Sequence, residues 1–344
     1  MNTSRATRSR TTATTRGPAT WLVLLTALVI SMPAWSAPSK HYEEPPPGLR
    51  AYLKTQMQQR RIPGMQVAVV RGGKLELAAP ISRYIDGLPA AWQAITVRQL
   101  ATHVSGLPDI MNSTTARLIV DGDPKAAWAK VQSLPMEFST GERFSYNQTN
   151  YLLLGKIIDK VGGERFTQFV KERQLDIVGM PHTVYADDRD IVAGSATTYS
   201  FMRACRKGEP EPTDQLCRAH VEFPDFLRTA AGLNSTAEEV ARWIIALQQG
   251  HLFKEKSSLA TLWTPGQLND GSHSPWAMGW PVVERSHHRV YMPSGGGKAA
   301  FGIYPDDDLA VVILTNLSWD EPRPVVEGVA AYYIPDLHHE QSSN

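Results

Sequence analysis

FSYNQTNYLLLGKIID, residues 144–159, decides the fold. A helix is predicted from Asn150 to Val161, stopping at Gly162, and Tyr146-Asn147-Gln148 stands immediately before it. Upstream, ITVRQLATHVSGLP (95–108) has the capping-box spacing Thr96-x-x-Gln99, which opens a short helix that ends by Gly106. Asp123-Pro124 predicts another start, with Asp as cap and Pro in the first turn. Ser235-x-x-Glu238 predicts a capped helix with Val240, Trp243, Ile244 and Leu247 inward and Gly250 closing it.

Strands flank this helical middle. Downstream, the apolar runs at Trp276–Val283, Arg289–Met292, Ala299–Tyr304 and Leu309–Thr315 read as β, with a last helix over Val325–Tyr333. Near the start, Pro45–Pro47 leads into an amphipathic segment, Leu49–Arg60. Met65–Val70, Arg71-Gly72-Gly73-Lys74 and Leu75–Leu77 then read as a hairpin. Strands at both ends with helices between imply an α+β fold. Its antiparallel sheet lobe covers about 48–80 and 270–336, and a helical lobe is inserted at about 81–269.

The first 36 residues read as a signal peptide. Arg5, Arg8, Arg10 and Arg16 precede the apolar run Trp21–Ile30, then Pro33 and the small-residue exit Ala34-x-Ser36. The run is shorter than the ~20 residues of a spanning helix, so no stable membrane span is expected after cleavage. A periplasmic or secreted location follows. Loss of those four arginines takes Lys+Arg from 35 to 31 against 34 acidic residues, which points away from nucleic acid. Cys205 and Cys217 bracket a polar loop. In an oxidising compartment they would close a disulfide across it, the alternative being two free thiols. No cofactor or metal site is indicated. His287-His288 and His338-His339 lack ligand spacing and read as exposed.

Several stretches in collinear order resemble the serine β-lactamase-related family, which includes class C β-lactamases, penicillin-binding D-amino-acid peptidases and related esterases. They are Ile62-Pro63-Gly64-Met65, KLELAAPISRYIDGLP (74–89), 95–108, 144–159, AAGLNSTAEEVARWIIAL (230–247), AMGW (277–280) and SGGGKAAFGIYPDDDLAVVILTN (294–316). The resemblance implies three parts. A Ser in S-x-x-K forms an acyl-enzyme, a Tyr in Y-x-N moves protons, and a K-T-G or H-x-G strand lines the opposite wall and supplies an oxyanion N–H.

The first part is missing, since no lysine of the chain has Ser three residues before it. The family runs through a second strand and the Ser-bearing helix before its G-K-L-x-L-x-x-P-I stretch. Here Val70–Lys74 passes directly into Leu75–Ile81, which places a gap at about residues 71–77. The fold is thus expected to be truncated by loss of the nucleophile helix. Losing a buried helix threatens a net stability of only ~5–15 kcal/mol.

The second part survives as Tyr146-Asn147-Gln148, with Gln148 in place of Asn and still able to hold a substrate carbonyl. Tyr146 is expected to be a vestigial proton shuttle whose phenolate the helix N-terminus favours, the alternative being a packing residue in a turn. The third part is blurred. Ser294, Gly295, Gly296 and Gly297 would bind substrate, or form a plain glycine turn, with Lys298 a solvated turn residue.

Three functions remain open. The chain is a hydrolase descendant that has lost acylation, a non-catalytic periplasmic binder of peptidoglycan-like fragments or small amides and esters, or an esterase with Ser105 as an unorthodox nucleophile.

Overall fold

A computed structural model describes residues 77–112, 117–202, 212–220, 222–255, 257–318 and 321–339. All fall within one unit, Val70–Asn344. The signal peptide, the segment 49–60, Cys205 and nearly all of the expected hairpin and gap therefore lie outside the described residues.

The helices start where side chains satisfy their first N–H groups. In α1 (Val97–Ala101) the Thr96 Oγ accepts the Gln99 N–H while Gln99 Oε1 accepts the Thr96 N–H at 2.9 Å, the predicted capping box. Asp123 caps α2 (Pro124–Ser133) through Lys125 and Ala126. The helix expected from Asn150 begins earlier. This is α3 (Gln148–Gly162), because Asn147 is its cap, and it ends on Gly163 (φ +71°) rather than on Gly162. After it, α4 (Phe166–Val170) passes through a π-helical turn, Lys171–Leu175, into α5 (Asp176–Val178).

In α6 (Ala237–Gln248) the cap is Thr236, not Ser235. The register shifts because Glu239 is drawn inward. Its carboxylate accepts bonds from Thr183 Oγ1 (2.5 Å) and the His182 N–H (3.1 Å). Burial alone would raise this carboxyl, but those bonds and His182 reverse the effect and hold it below its ordinary value.

The C-terminal third forms an antiparallel sheet of β1 (Val282–Arg285), β2 (His288–Tyr291), β3 (Ser294–Gly295), β4 (Ala299–Tyr304) and β5 (Leu309–Leu314), in order β5-β4-β2-β1 with β3 also on β4. The strand expected over 276–283 shrinks to a bridge between Trp276 and Pro281 ahead of β1. Gly279 turns the chain at φ +89°, and Pro281 has no N–H to give a ladder.

Period-two alternation sorts the sheet's side chains. Val290, Met292, Ala300, Tyr304 and Val311 face one side and pack on Val326 and Ala330 of α7 (Arg323–Ala330). Tyr291, Phe301, Ile303 and Val312 face the other and pack on Ile244 and Leu247 of α6. The sheet is therefore sandwiched between helices, each buried large aliphatic side chain contributing roughly 1.5–3 kcal/mol. Gly302 lets α7 close down, since a Cβ there would lie 2.8 Å from Val326 Cγ1. The expected final helix (325–333) ends at Ala330, leaving Tyr332 and Tyr333 exposed.

A separate core holds the helical part together. Ile81, Trp92, Leu100, Leu107, Ile110, Val131, Leu153, Ile157 and Leu227 are buried against one another. It forms the floor beneath the segment that carries Tyr146.

Candidate functional site

Residues 103–110 are fastened to the first turn of α3 by a buried polar seam. Asn147 Nδ2 donates to the Leu107 carbonyl (2.6 Å), and Thr149 Oγ1 donates to the Pro108 carbonyl (2.8 Å) while accepting the Ile110 N–H (2.9 Å). Ser105 Oγ donates to Asn150 Oδ1 (2.6 Å), and the Gln148 N–H donates to Asp109 Oδ1 (3.1 Å). Buried amides, hydroxyls and carbonyls are tolerated only when paired, and here they pair with one another. At the centre of the loop Gly106 has φ +75°, and a Cβ there would stand 2.2 Å from the Phe138 carbonyl oxygen. No other residue fits.

Ser105 is accordingly fixed in this seam. It is 1% exposed, accepts the Leu107 N–H (3.2 Å) and donates to Asn150. Its hydroxyl has an amide oxygen, not a base, as partner, so the geometry gives it a turn-forming role rather than a nucleophilic one.

Tyr146 sits one residue before the cap of α3, half exposed, over a wall of rings. His103 lies 4.5 Å away by centroid and Trp276 5.4 Å, and Tyr151 stacks on His103 at 5.0 Å. Trp276 reaches the cluster where the turn that follows it docks on the end of α1, the Gly279 N–H donating to the Ala101 carbonyl at 3.3 Å. Tyr146 and Gln148 lie side by side, Gln148 Nε2 donating to the Tyr146 hydroxyl oxygen at 3.4 Å.

The expectation of a favoured phenolate is reversed. Desolvation against the rings pushes the Tyr146 phenol up; the Gln148 bond opposes this, and the Asp109 charge adds to it. The helix terminus does not compensate, because its first N–H, that of Gln148, is already given to the Asp109 carboxylate. Asp109 is itself raised, by burial first and then by Glu137, against the N–H bonds it accepts. At neutral pH Tyr146 is therefore a neutral phenol whose oxygen accepts from the Gln148 amide.

The glycine segment behaves as the turn reading anticipated. Gly296 and Gly297 both take φ +59°, and the Lys298 N–H closes on the Gly295 carbonyl at 3.1 Å. This is a two-residue turn of the type that suits a right-handed hairpin. Ser294 and Gly295 pair with Ala300 and Ala299. Among the described residues no hydrogen bond or ring contact joins this hairpin to Tyr146 or Gln148. Lys298 is half-buried rather than fully solvated.

His287 is exposed as expected. His288, at the start of β2, is instead half-buried, its Nδ1 2.8 Å from Oδ2 of Asp307 in the turn that follows β4. The side chains of His338 and His339 lie outside the described residues. Cys217 is not a free thiol, while Cys205 falls outside the description. Among the described residues no group of three or more His, Cys, Asp or Glu could hold a metal, and no helix is long and apolar enough to cross a membrane. Two open cavities, about 430 Å³ beside Met136 and Phe138 and about 290 Å³ beside Arg285 and Glu327, are lined by neither Tyr146 nor Ser294.

Asp109, Asn147, Asn150, Trp276 and His103 are site residues that the motifs do not mark. The signal for Asn147 was available, since Asn three residues before Asn150 is a cap pattern.

Known proteins resemble this chain over most of its length. It is 27% identical over 252 residues to Penicillin-binding protein 4* of Bacillus subtilis, covering 70% of this chain and 55% of that protein. It spans about half the length of the curated relatives it matches. Among solved structures, a penicillin-binding protein from Bacillus halodurans superposes with a TM-score of 0.56 at 22% identity, covering 75% of this chain and 78% of that one. D-amino acid amidase from Ochrobactrum anthropi, complexed with L-phenylalanine amide, gives 0.60 at 19%, covering 79% of each. These two establish the shared α+β fold. The Beta-lactamase family model matches residues 70–331, most of the sequence, and the chain belongs to the β-lactamase family of serine hydrolases and penicillin-binding proteins.

Proposed function

We propose that this chain is a catalytically impaired member of its superfamily, in which the ground around Tyr146 recognises an amide, ester or peptidoglycan-like ligand without acylation. The observation that carries this reading is the absence of S-x-x-K anywhere in the sequence, together with the burial of Ser105 in a structural bond. Without an activated hydroxyl and its Lys, no acyl-enzyme forms.

What remains suits recognition of an acceptor. The neutral Tyr146 O–H donates to a carbonyl or carboxylate oxygen, Gln148 holds the phenol oxygen, and Trp276 offers an apolar face. Ser294 and the exposed Gly295–Gly296 edge supply further N–H groups on the sheet side. The N-terminal signal-like stretch supports a periplasmic or secreted setting, where such ligands occur. The amide bound to the O. anthropi amidase belongs to the same chemical class.

The test is a tryptophan-fluorescence titration with acetylated Lys-D-Ala-D-Ala peptide, followed by mass analysis of the peptide. Saturable quenching with the peptide recovered intact is expected, weakened about tenfold in Tyr146→Phe, as loss of one hydrogen bond to a charged acceptor implies. Peptide cleavage, or equal affinity of the variant, would overturn the reading.

A further inference from the structure

His103 has no part in the three motifs of the family, yet it is the most constrained side chain of the site. It is fully buried and holds a left-handed backbone (φ +55°), a conformation costly for a residue with a Cβ. Two donors converge on its Nδ1. These are the backbone N–H of Asn147 and the Nδ2 of Asn150, each at 3.1 Å. The Asn150 amide cannot turn round, because Ser105 Oγ donates to its oxygen. A backbone N–H only donates, so Nδ1 must present a lone pair and the ring proton sits on Nε2. That Nε2 is buried without a hydrogen-bond partner among the described residues.

We infer that His103 is a positioning residue for Tyr146: a neutral imidazole, protonated on Nε2, whose Nδ1 anchors the residue following Tyr146 and whose ring carries the Tyr146 ring. This deepens the ligand-donor reading of Tyr146 and rests on it. The acceptor role of Nδ1 fixes the backbone at Asn147, and the ring contact at 4.5 Å fixes the tilt of the phenol. Phe144, Tyr151 and Trp276 close the other sides of the imidazole, and among the described residues no ion pair involves it. The titratable groups facing it are the Tyr146 and Tyr151 phenols, and the nearest acid of the seam, Asp109, is engaged by the Gln148 N–H. Burial pushes the imidazole down to about 3, which agrees with the geometry.

Nitrogen-15 NMR of the histidine-labelled full chain tests this without a ligand. The His103 resonance, identified by its loss in His103→Gln, is expected to keep the neutral Nε2–H pattern from pH 8 to pH 5. A proton on Nδ1, or titration in that range, overturns the inference. A second measurement follows the Tyr146 phenol by ultraviolet titration, taken as the difference from Tyr146→Phe. His103→Gln, whose amide oxygen can still accept the Asn147 N–H, should keep the raised value. His103→Leu should lower it by about one pH unit as the phenol loosens into water. Equal values in both variants would leave His103 as packing alone and refute the positioning role. Failure of peptide binding with the NMR and titration results intact would count against the ligand reading and not against His103.

Discussion

Replacing Asn147 by Ala should be among the most damaging single changes near the site, and the loss can be worked from two bonds. The side-chain oxygen caps α3 by accepting the Asn150 N–H at 3.3 Å, and loss of such a cap costs typically ~1 kcal/mol. Its Nδ2 meets the Leu107 carbonyl at 2.6 Å, and leaving that buried acceptor unpaired adds ~1–3 kcal/mol. The sum is about 2–4 kcal/mol, a large share of the ~5–15 kcal/mol that holds a typical domain together. Thr96→Ala is the reference, because it removes a cap of the same kind at a partly exposed site and should cost ~1 kcal/mol. Asn147→Asp keeps an oxygen for the cap but turns a second oxygen towards the Leu107 carbonyl, so it should behave nearly as badly as Ala. Urea melts of the three variants, compared at a common slope, give the differences. Equal losses for Asn147→Ala and Thr96→Ala would refute the seam as the support of Tyr146.

Gly302→Ala should destabilise by about 1–3 kcal/mol in the same melts, as its Cβ would press on Val326 Cγ1 at 2.8 Å; no loss would show that α7 can shift. The β1–β2 turn places Ser286 and His287 at φ +46° and +73°, a region that costs a residue with a Cβ roughly 1–2 kcal/mol, so changing the pair to Asn-Gly should raise stability by about 1 kcal/mol. The Arg189 guanidinium beside Asp187 holds its carboxyl well below the usual range, against the opposing effect of burial, helped by the Phe223 and Arg189 N–H groups. The unfolded chain therefore binds this proton more tightly, and the contribution is complete above about pH 4 and lost as pH falls below it. Asp187→Asn should lower the melting point at pH 7 yet narrow the gap between pH 7 and pH 3; an unchanged gap would remove Asp187 from the acid transition.

The elements legible in the sequence are those fixed by local chemistry. The Thr96–Gln99 box, the Asp123-Pro124 start and the apolar run 299–304 each depend on neighbours within a few residues, and each appears where expected. Errors arose where a distant partner chose between near-equal local options. Thr236 took the cap from Ser235 because Glu239 is held by Thr183 and His182, more than fifty residues away in the chain. The segment 276–281 scans as apolar strand, but one left-handed glycine and one proline end it. At the site, Tyr146 and Gln148 could be found from their motif. The ionisation of Tyr146 could not, because the helix terminus visible in sequence is cancelled by Asp109 and by rings from three separate stretches.

The central claim is that no serine of this chain forms an acyl-enzyme, and intact-protein mass spectrometry after incubation with excess benzylpenicillin or a fluorophosphonate tests it most directly. The account predicts the unmodified mass with both reagents at all times. A stoichiometric adduct that maps to one serine, Ser105 included, would contradict it.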